Sequence, residues 1–358
     1  MSRIETVTCA RLSVPLHTPF VTALRRTTTT DTVVVRITDR DGVTGWGEAP
    51  AVWQVTGESL ASAEACVMGP LHPLLIGADA DDISALSRSV SLAVARNFGA
   101  KSAIDVALHD LTARRRGISL PVLLGSTKHR VDTDVTLAAG DPSALEKAAA
   151  DRVADGFSVL KVKVGTDAAS DVDRVRAARS AAGVDVKIRL DANQGWTPRE
   201  AVRVIRVLED TGTNVELVEQ PVHADDLEGL AWVTSQVNTP VMADESVYGI
   251  RDLVEVIRRR AADMVNIKLA KCGGISPART LFEMAHAHQM GTIMGSMMES
   301  HIGVGAAASL VAAYGTSLTA DLDAAWWATQ SPVVGGMSYD GAVVVLPETP
   351  GLGIEALA

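Results

Sequence analysis

Apolar and polar residues alternate along the first fifty positions in three short runs, TVTCARLSVPL, TVVVRITD and GVTGWGEA. Alternation with period two is the mark of a strand with one face buried. The last two runs flank Asp39-Arg40-Asp41-Gly42, a turn composition, so they predict an antiparallel meander. From about Ser59 the period lengthens. SLASAEACVMGPLHPLL, DDISALSRSVSLAVARN and AKSAIDVALHDLTARRR place apolar residues three and four apart and predict helices. Residues 1–125 therefore read as a small α+β domain.

From about residue 131 the two patterns interleave. Strand-like runs occur at DVTLAAG, VLKVKVG, VKIRLDA, VELVEQP, PVMADES, MVNIKLA, GTIMGS and SLTADLD. Amphipathic helical stretches such as PREAVRVIRVLEDTG separate them. Strands alternating with helices pair in parallel through right-handed crossovers. Eight units at spacings of 24 to 28 residues favour closure over an open doubly wound sheet. The expected fold class is α/β, a (β/α)8 barrel over 126–339. The tail from about residue 340, GAVVVLPETPGLGIEAL, contains a strand-like run able to return to the first domain.

Within VLKVKVG, Lys161 and Lys163 share one strand face while Leu160, Val162 and Val164 share the other. An edge strand with a solvated lysine face is the bland explanation. The other strand ends change the picture, because working residues of parallel barrels sit at C-terminal strand ends. Those ends carry Lys163, Asp191 (in RLDANQGW), Glu219 (LVEQP), Asp244 (ADES), Lys268 (NIKLAKCGG) and the pair Asp321 and Asp323 (TADLDA). Asp191, Glu219 and Asp244 fall on neighbouring strands. Three converging carboxylates repel unless a cation neutralises them. An all-oxygen set without His or Cys suits a hard divalent ion, Mg2+ first and Mn2+ second.

In a ring of eight, strands two and six are opposed, so Lys163 and Lys268 are expected to face each other across that ion. Lys161, one layer deeper, is expected to tune Lys163 by repulsion, and Lys271 is given a lesser version of the same part. A carboxylate held by Mg2+ has an acidified α-proton, because the metal stabilises the enediolate left behind. One lysine removing that proton and the other returning it inverts the carbon. A single active base would instead serve elimination or cycloisomerisation.

KVK, DANQGW, VEQP, ADES and NIKLAKCGGI, in this order, resemble the muconate-lactonizing subgroup of the enolase superfamily. GWGEAP and AKSAIDVALHDL extend the resemblance to the N-terminal part. The resemblance implies an N-terminal α+β capping domain completed by the C-terminal tail, with Asp191, Glu219 and Asp244 binding Mg2+ and Lys163 and Lys268 as the acid/base pair. Asp321-Leu322-Asp323 resembles the motif by which dipeptide epimerases hold the substrate α-ammonium. PFVTALRRTT resembles the mobile loop of L-Ala-D/L-Glu epimerases, with Arg25 at the position that meets the glutamate side chain. Arg26 beside it and Trp53 in PAVWQVTGES depart from the pattern and are possible specificity residues. Thr136, Ser296 and Met298 resemble substrate-contacting positions. The expected function is Mg2+-dependent epimerisation of a dipeptide at its C-terminal residue, L-Ala-L-Glu to L-Ala-D-Glu first. N-acylamino acid racemase, o-succinylbenzoate synthase or muconate cycloisomerase chemistry is the alternative, and a non-catalytic binding protein the last.

Composition narrows the partners. The chain has 358 residues with a net charge of −10, which argues against nucleic acid or anionic membrane. No run is long enough to span a bilayer, and the start lacks a secretory pattern. Cys9, Cys66 and Cys272 form no CxxC pair, so a reducing cytoplasm is the expected compartment. A small-molecule partner and a homo-oligomeric state are expected.

Overall fold

The computed structural model describes residues 2–358. Ile4–Val21, Arg26–Asp39 and Thr44–Pro50 form the antiparallel meander, in chain order. The pairing slips between Pro15 and Phe20, which swings the end of the first strand away from the sheet. Ala139 then donates its N–H to Val21 O at 3.0 Å, tying that end to the first barrel strand. The helix Phe98–Arg115 lies against Thr44–Pro50. Gly45 and Gly47 permit the approach, since a Cβ at either would strike the helix carbonyls of Ala107 or Ala103. Val33, Val35, Ile37, Ile104, Leu108 and Leu111 make the core of this domain.

The second domain is a parallel sheet of seven strands in consecutive order, from Val135–Leu137 to Gly291–Gly295. The expected eighth strand is reduced to two residues that stitch the sheet shut. Ala320 bridges Thr133 and Asp321 bridges Gly295, both parallel. Asp134 N–H donates to Ala320 O and Asp321 N–H to Met294 O, each at 2.9 Å. No long helix follows; a single 3-10 turn, Ala324–Trp327, takes its place. The larger core fills the space between the barrel strands and their helices.

The tail runs back along the helix Phe98–Arg115. Asp110 of the 98–115 helix accepts from Leu352 N–H at 2.6 Å, and Arg114 donates to Ile354 O at 2.6 Å. Val343–Val345 pairs with Arg130–Asp132 at the barrel entrance. Among the described residues no helix is long and apolar enough to cross a membrane.

Candidate active site

Parallel register brings the strand ends level. Lys163 pairs with Asp191, Asp191 with Glu219, and Glu219 with Met242, two positions before Asp244. Lys268 pairs with Gly295, where a side chain would crowd Asn266 and the Lys268 stem. Lys161, Lys163, Asp191, Glu219, Asp244, Lys268 and Asp321 are all buried.

These groups form one continuous row of alternating charge. Lys163 Nζ lies 2.6 Å from Asp191 Oδ2. Lys161 Nζ lies 3.0 Å from the same oxygen, 2.6 Å from Glu219 Oε2 and 2.7 Å from Asp321 Oδ2. Lys268 Nζ lies 2.8 Å from Asp244 Oδ2 and 3.8 Å from Glu219 Oε1. Lys271 closes the row, 2.5 Å from Asp244 Oδ1 and 3.1 Å from Asn266 O. Lys163 and Lys268 thus come from strands four apart in the sheet order, Lys163 on Asp191 and Lys268 on Asp244.

Burial alone would neutralise every member. For Asp191 it is overcome by Lys161 and Lys163, which hold the carboxyl well below its ordinary range. For Asp244 it is overcome by Lys268 and Lys271. Glu219 goes the other way: burial and the neighbouring Asp191 push it up to about 8. Burial also opposes the charge of Lys161, but Asp191, Asp321 and Glu219 hold its pKa well above the usual lysine value. The picture of one ammonium simply pressing on another is therefore incomplete. Each lysine is answered by carboxylates, and Asp321 reaches across to Lys161 from the far end of the chain.

Among the described residues no three His, Cys, Asp or Glu side chains are already gathered into a metal cage. Lysine nitrogens stand between the carboxylates instead. The donor chemistry nevertheless fits a hard divalent ion, since all three acids offer oxygen. Asn193 Oδ1, Asn266 Oδ1 and Glu245 Oε2 are further buried oxygens without a hydrogen-bond partner.

Above the row lies a cavity of about 60 Å3, lined by Phe20, Arg25, Val55, Thr136, Ser296 and Met298 together with Lys161, Lys163, Lys268, Asp244, Asp321 and Asp323. A larger groove of about 920 Å3 between the meander and the tail has no such cluster, so size does not locate the chemistry. Thr22 builds the loop that delivers Arg25: its Oγ1 accepts from Leu24 N–H at 3.1 Å and Arg25 N–H at 3.2 Å. Among the described residues no carboxylate lies within ion-pair distance of the Arg25 guanidinium, and burial lowers its pKa. Phe20 covers Lys163, with Nζ 5.9 Å from the ring centre. Asp323 Oδ2 accepts from Thr136 N–H at 2.7 Å and Trp327 Nε1–H at 3.0 Å. Ser296 Oγ donates to Asp321 O at 3.3 Å.

Two expected specificity positions stand apart. Arg26 is exposed, and Trp53 is 66% exposed; neither lines the cavity, where Val55 is the residue contributed by the second loop. Three features escaped the sequence reading: Glu245, which follows Asp244 and hydrogen-bonds Asn193 at 3.2 Å, and the buried pair Glu48 and Glu299. The ADES and GWGEAP runs contained two of these acids, but only the fold shows them buried.

Residues 144–357 match the enolase C-terminal domain-like family, and residues 4–125 match the mandelate racemase / muconate lactonizing enzyme N-terminal domain. The chain belongs to this family. It is 42% identical to the L-Ala-D/L-Glu epimerase of Bacillus subtilis, over 99% of this chain and 97% of that protein. The substrate-liganded structure of the same Bacillus subtilis enzyme superposes with a TM-score of 0.97, covering 99% of both chains. A dipeptide epimerase from Enterococcus faecalis, complexed with Mg and L-Leu-L-Tyr, gives 0.93 at 39% identity, again over 99% of both chains.

Proposed function

We propose that this protein is a Mg2+-dependent dipeptide epimerase that inverts the α-carbon of the C-terminal residue, with L-Ala-L-Glu as its preferred substrate. The observation that supports the reading is that Lys163 and Lys268 come from strands four apart in the sheet, one on Asp191 and the other on Asp244, and both line one small cavity. Asp191, Glu219 and Asp244 would hold Mg2+. Bound there, the ion neutralises the charge that grows on the substrate carboxylate as the α-proton leaves.

Lys163 and Lys268 move the proton, one taking it from one face and the other returning it on the opposite face. Lys161 keeps Asp191, Glu219 and Asp321 in register. Asp321 and Asp323 form the acidic end that receives the substrate ammonium, as a charge-assisted contact requires. Thr136, Ser296 and Met298 border that end. Arg25 is a half-buried cation with no side-chain hydrogen-bond or ion-pair partner among the described residues, which suits the side-chain carboxylate of glutamate. Phe20 and the Arg25 loop keep water from the lysines. We place the enzyme in the cytoplasm as a homo-oligomer, with Mn2+ able to replace Mg2+.

Incubation with Mg2+ and a dipeptide panel in D2O tests this. Deuterium should enter the C-terminal α-carbon with L-Ala-L-Glu leading. Exchange confined to N-acylamino acids would move the assignment to a racemase on the same site.

A further inference from the structure

Glu48 lies within the meander strand Thr44–Pro50, and Glu299 follows the barrel loop Ser296–Met297–Met298 that borders the cavity. Both are buried, 3% and 2% exposed. Glu48 Oε1 accepts from Ser300 N–H at 2.9 Å and Gly303 N–H at 2.6 Å, the open donors at the start of helix His301–Tyr314. Glu299 Oε1 accepts from Met297 N–H at 2.9 Å. The remaining oxygen of Glu48 has no partner, and a Cβ at Gly303 would collide with both Glu299 Oε2 and Glu48 Oε1. Two carboxyl groups from different domains therefore crowd one point. Two neighbouring buried carboxylates cannot both ionise, so one keeps its proton and can donate it. Burial raises the pKa of Glu48 as well, but the N–H groups of Ser300 and Gly303 pull it back toward the ionised form, whereas Glu299 accepts only from Met297 N–H. Just beyond Glu48, Val52 and Val55 pack with Ala270 on Met297.

We propose that Glu299 is a positioning residue which, as the neutral acid, donates to the Glu48 carboxylate and so fixes the substrate-facing loop 296–298 and the root of loop 51–57 against each other. Its support includes a Glu299 pKa pushed up to about 8 by burial and by the charge of Glu48, with Lys268 the other charged group acting on it, in the lowering direction. The kinetic part of the test rests on the dipeptide reading above; the stability part does not.

A raised carboxyl pKa gives stability that is full below its unfolded value near 4.5 and is lost as pH rises through about 8. Urea unfolding of the full-length protein and of Glu299→Gln, across pH 5 to 8, reads this directly. The wild-type folding constant should fall relative to that of the Gln variant by up to tenfold per pH unit. Glu299→Gln should keep KM for L-Ala-L-Glu within twofold, while Glu299→Ala should raise KM at least fivefold with kcat little changed. Parallel stability profiles for wild type and Glu299→Gln would overturn the proposal, as would a Gln variant whose KM rises like that of Ala. Complete absence of dipeptide turnover would overturn the functional reading and leave the stability comparison to decide this one.

Discussion

At the residue scale, the side chain that stands out is Arg25. A half-buried guanidinium without a carboxylate beside it loses part of its hydration and is open to a ligand that answers its charge. Replacing it by Met should raise KM for L-Ala-L-Glu by about 10- to 100-fold, the worth of one charge-assisted hydrogen bond. It should affect apolar dipeptides far less, which steady-state kinetics on a dipeptide panel will show. Asp321 and Asp323 carry a parallel expectation. Asp321→Asn with Asp323→Asn should lose most epimerisation of free dipeptides, because the substrate ammonium then meets no negative charge. The strand-end acids and lysines were legible in the sequence because a parallel barrel sends those positions to one face. The Arg25 loop was legible by resemblance. The exposure of Trp53 was not, since a loop has no periodicity to say which way its side chains point. Nor was the reach of Asp321 to Lys161, a contact between residues 160 apart.

At the scale of elements, close approach of backbones decides which positions tolerate change. Gly47 lets the helix Phe98–Arg115 lie on the meander, so Gly47→Ala should destabilise the protein by about 1–3 kcal/mol through overpacking. A lowered urea midpoint with an unchanged slope is the expected result. The helix His301–Tyr314 carries a pH effect at its first residue. Burial lowers the pKa of His301 from 6.5 to about 4, and its Nδ1 has no partner. The unfolded chain binds the proton more readily, so this stability is present above pH 6.5 and is lost as pH falls toward 4. His301→Gln should flatten that part of the profile in urea titrations. The element order was readable from period alone. The eighth strand was placed correctly, yet its shrinkage to Ala320 and Asp321 was hidden, because two bridging residues leave no alternation to detect.

At the scale of the whole molecule, two domains meet over one row of charge. The barrel supplies the lysines and acids, while the meander domain supplies Phe20, Arg25 and Val55 to the cavity wall. This division accounts for a site that is buried yet built almost wholly of ionisable groups: the row is neutralised within itself, and the upper domain excludes water. In the proposed reaction Lys163 and Lys268 act on opposite faces of one carbon. Lys163→Ala and Lys268→Ala, each incubated with Mg2+ and either L-Ala-L-Glu or L-Ala-D-Glu in D2O, test it most directly. Both variants should lose epimerisation by at least about 1,000-fold, and any residual α-deuteration should be confined to one epimer, a different one for each variant. Epimerisation surviving in either variant, or both variants exchanging the same epimer, would rule out proton transfer by two opposed lysines.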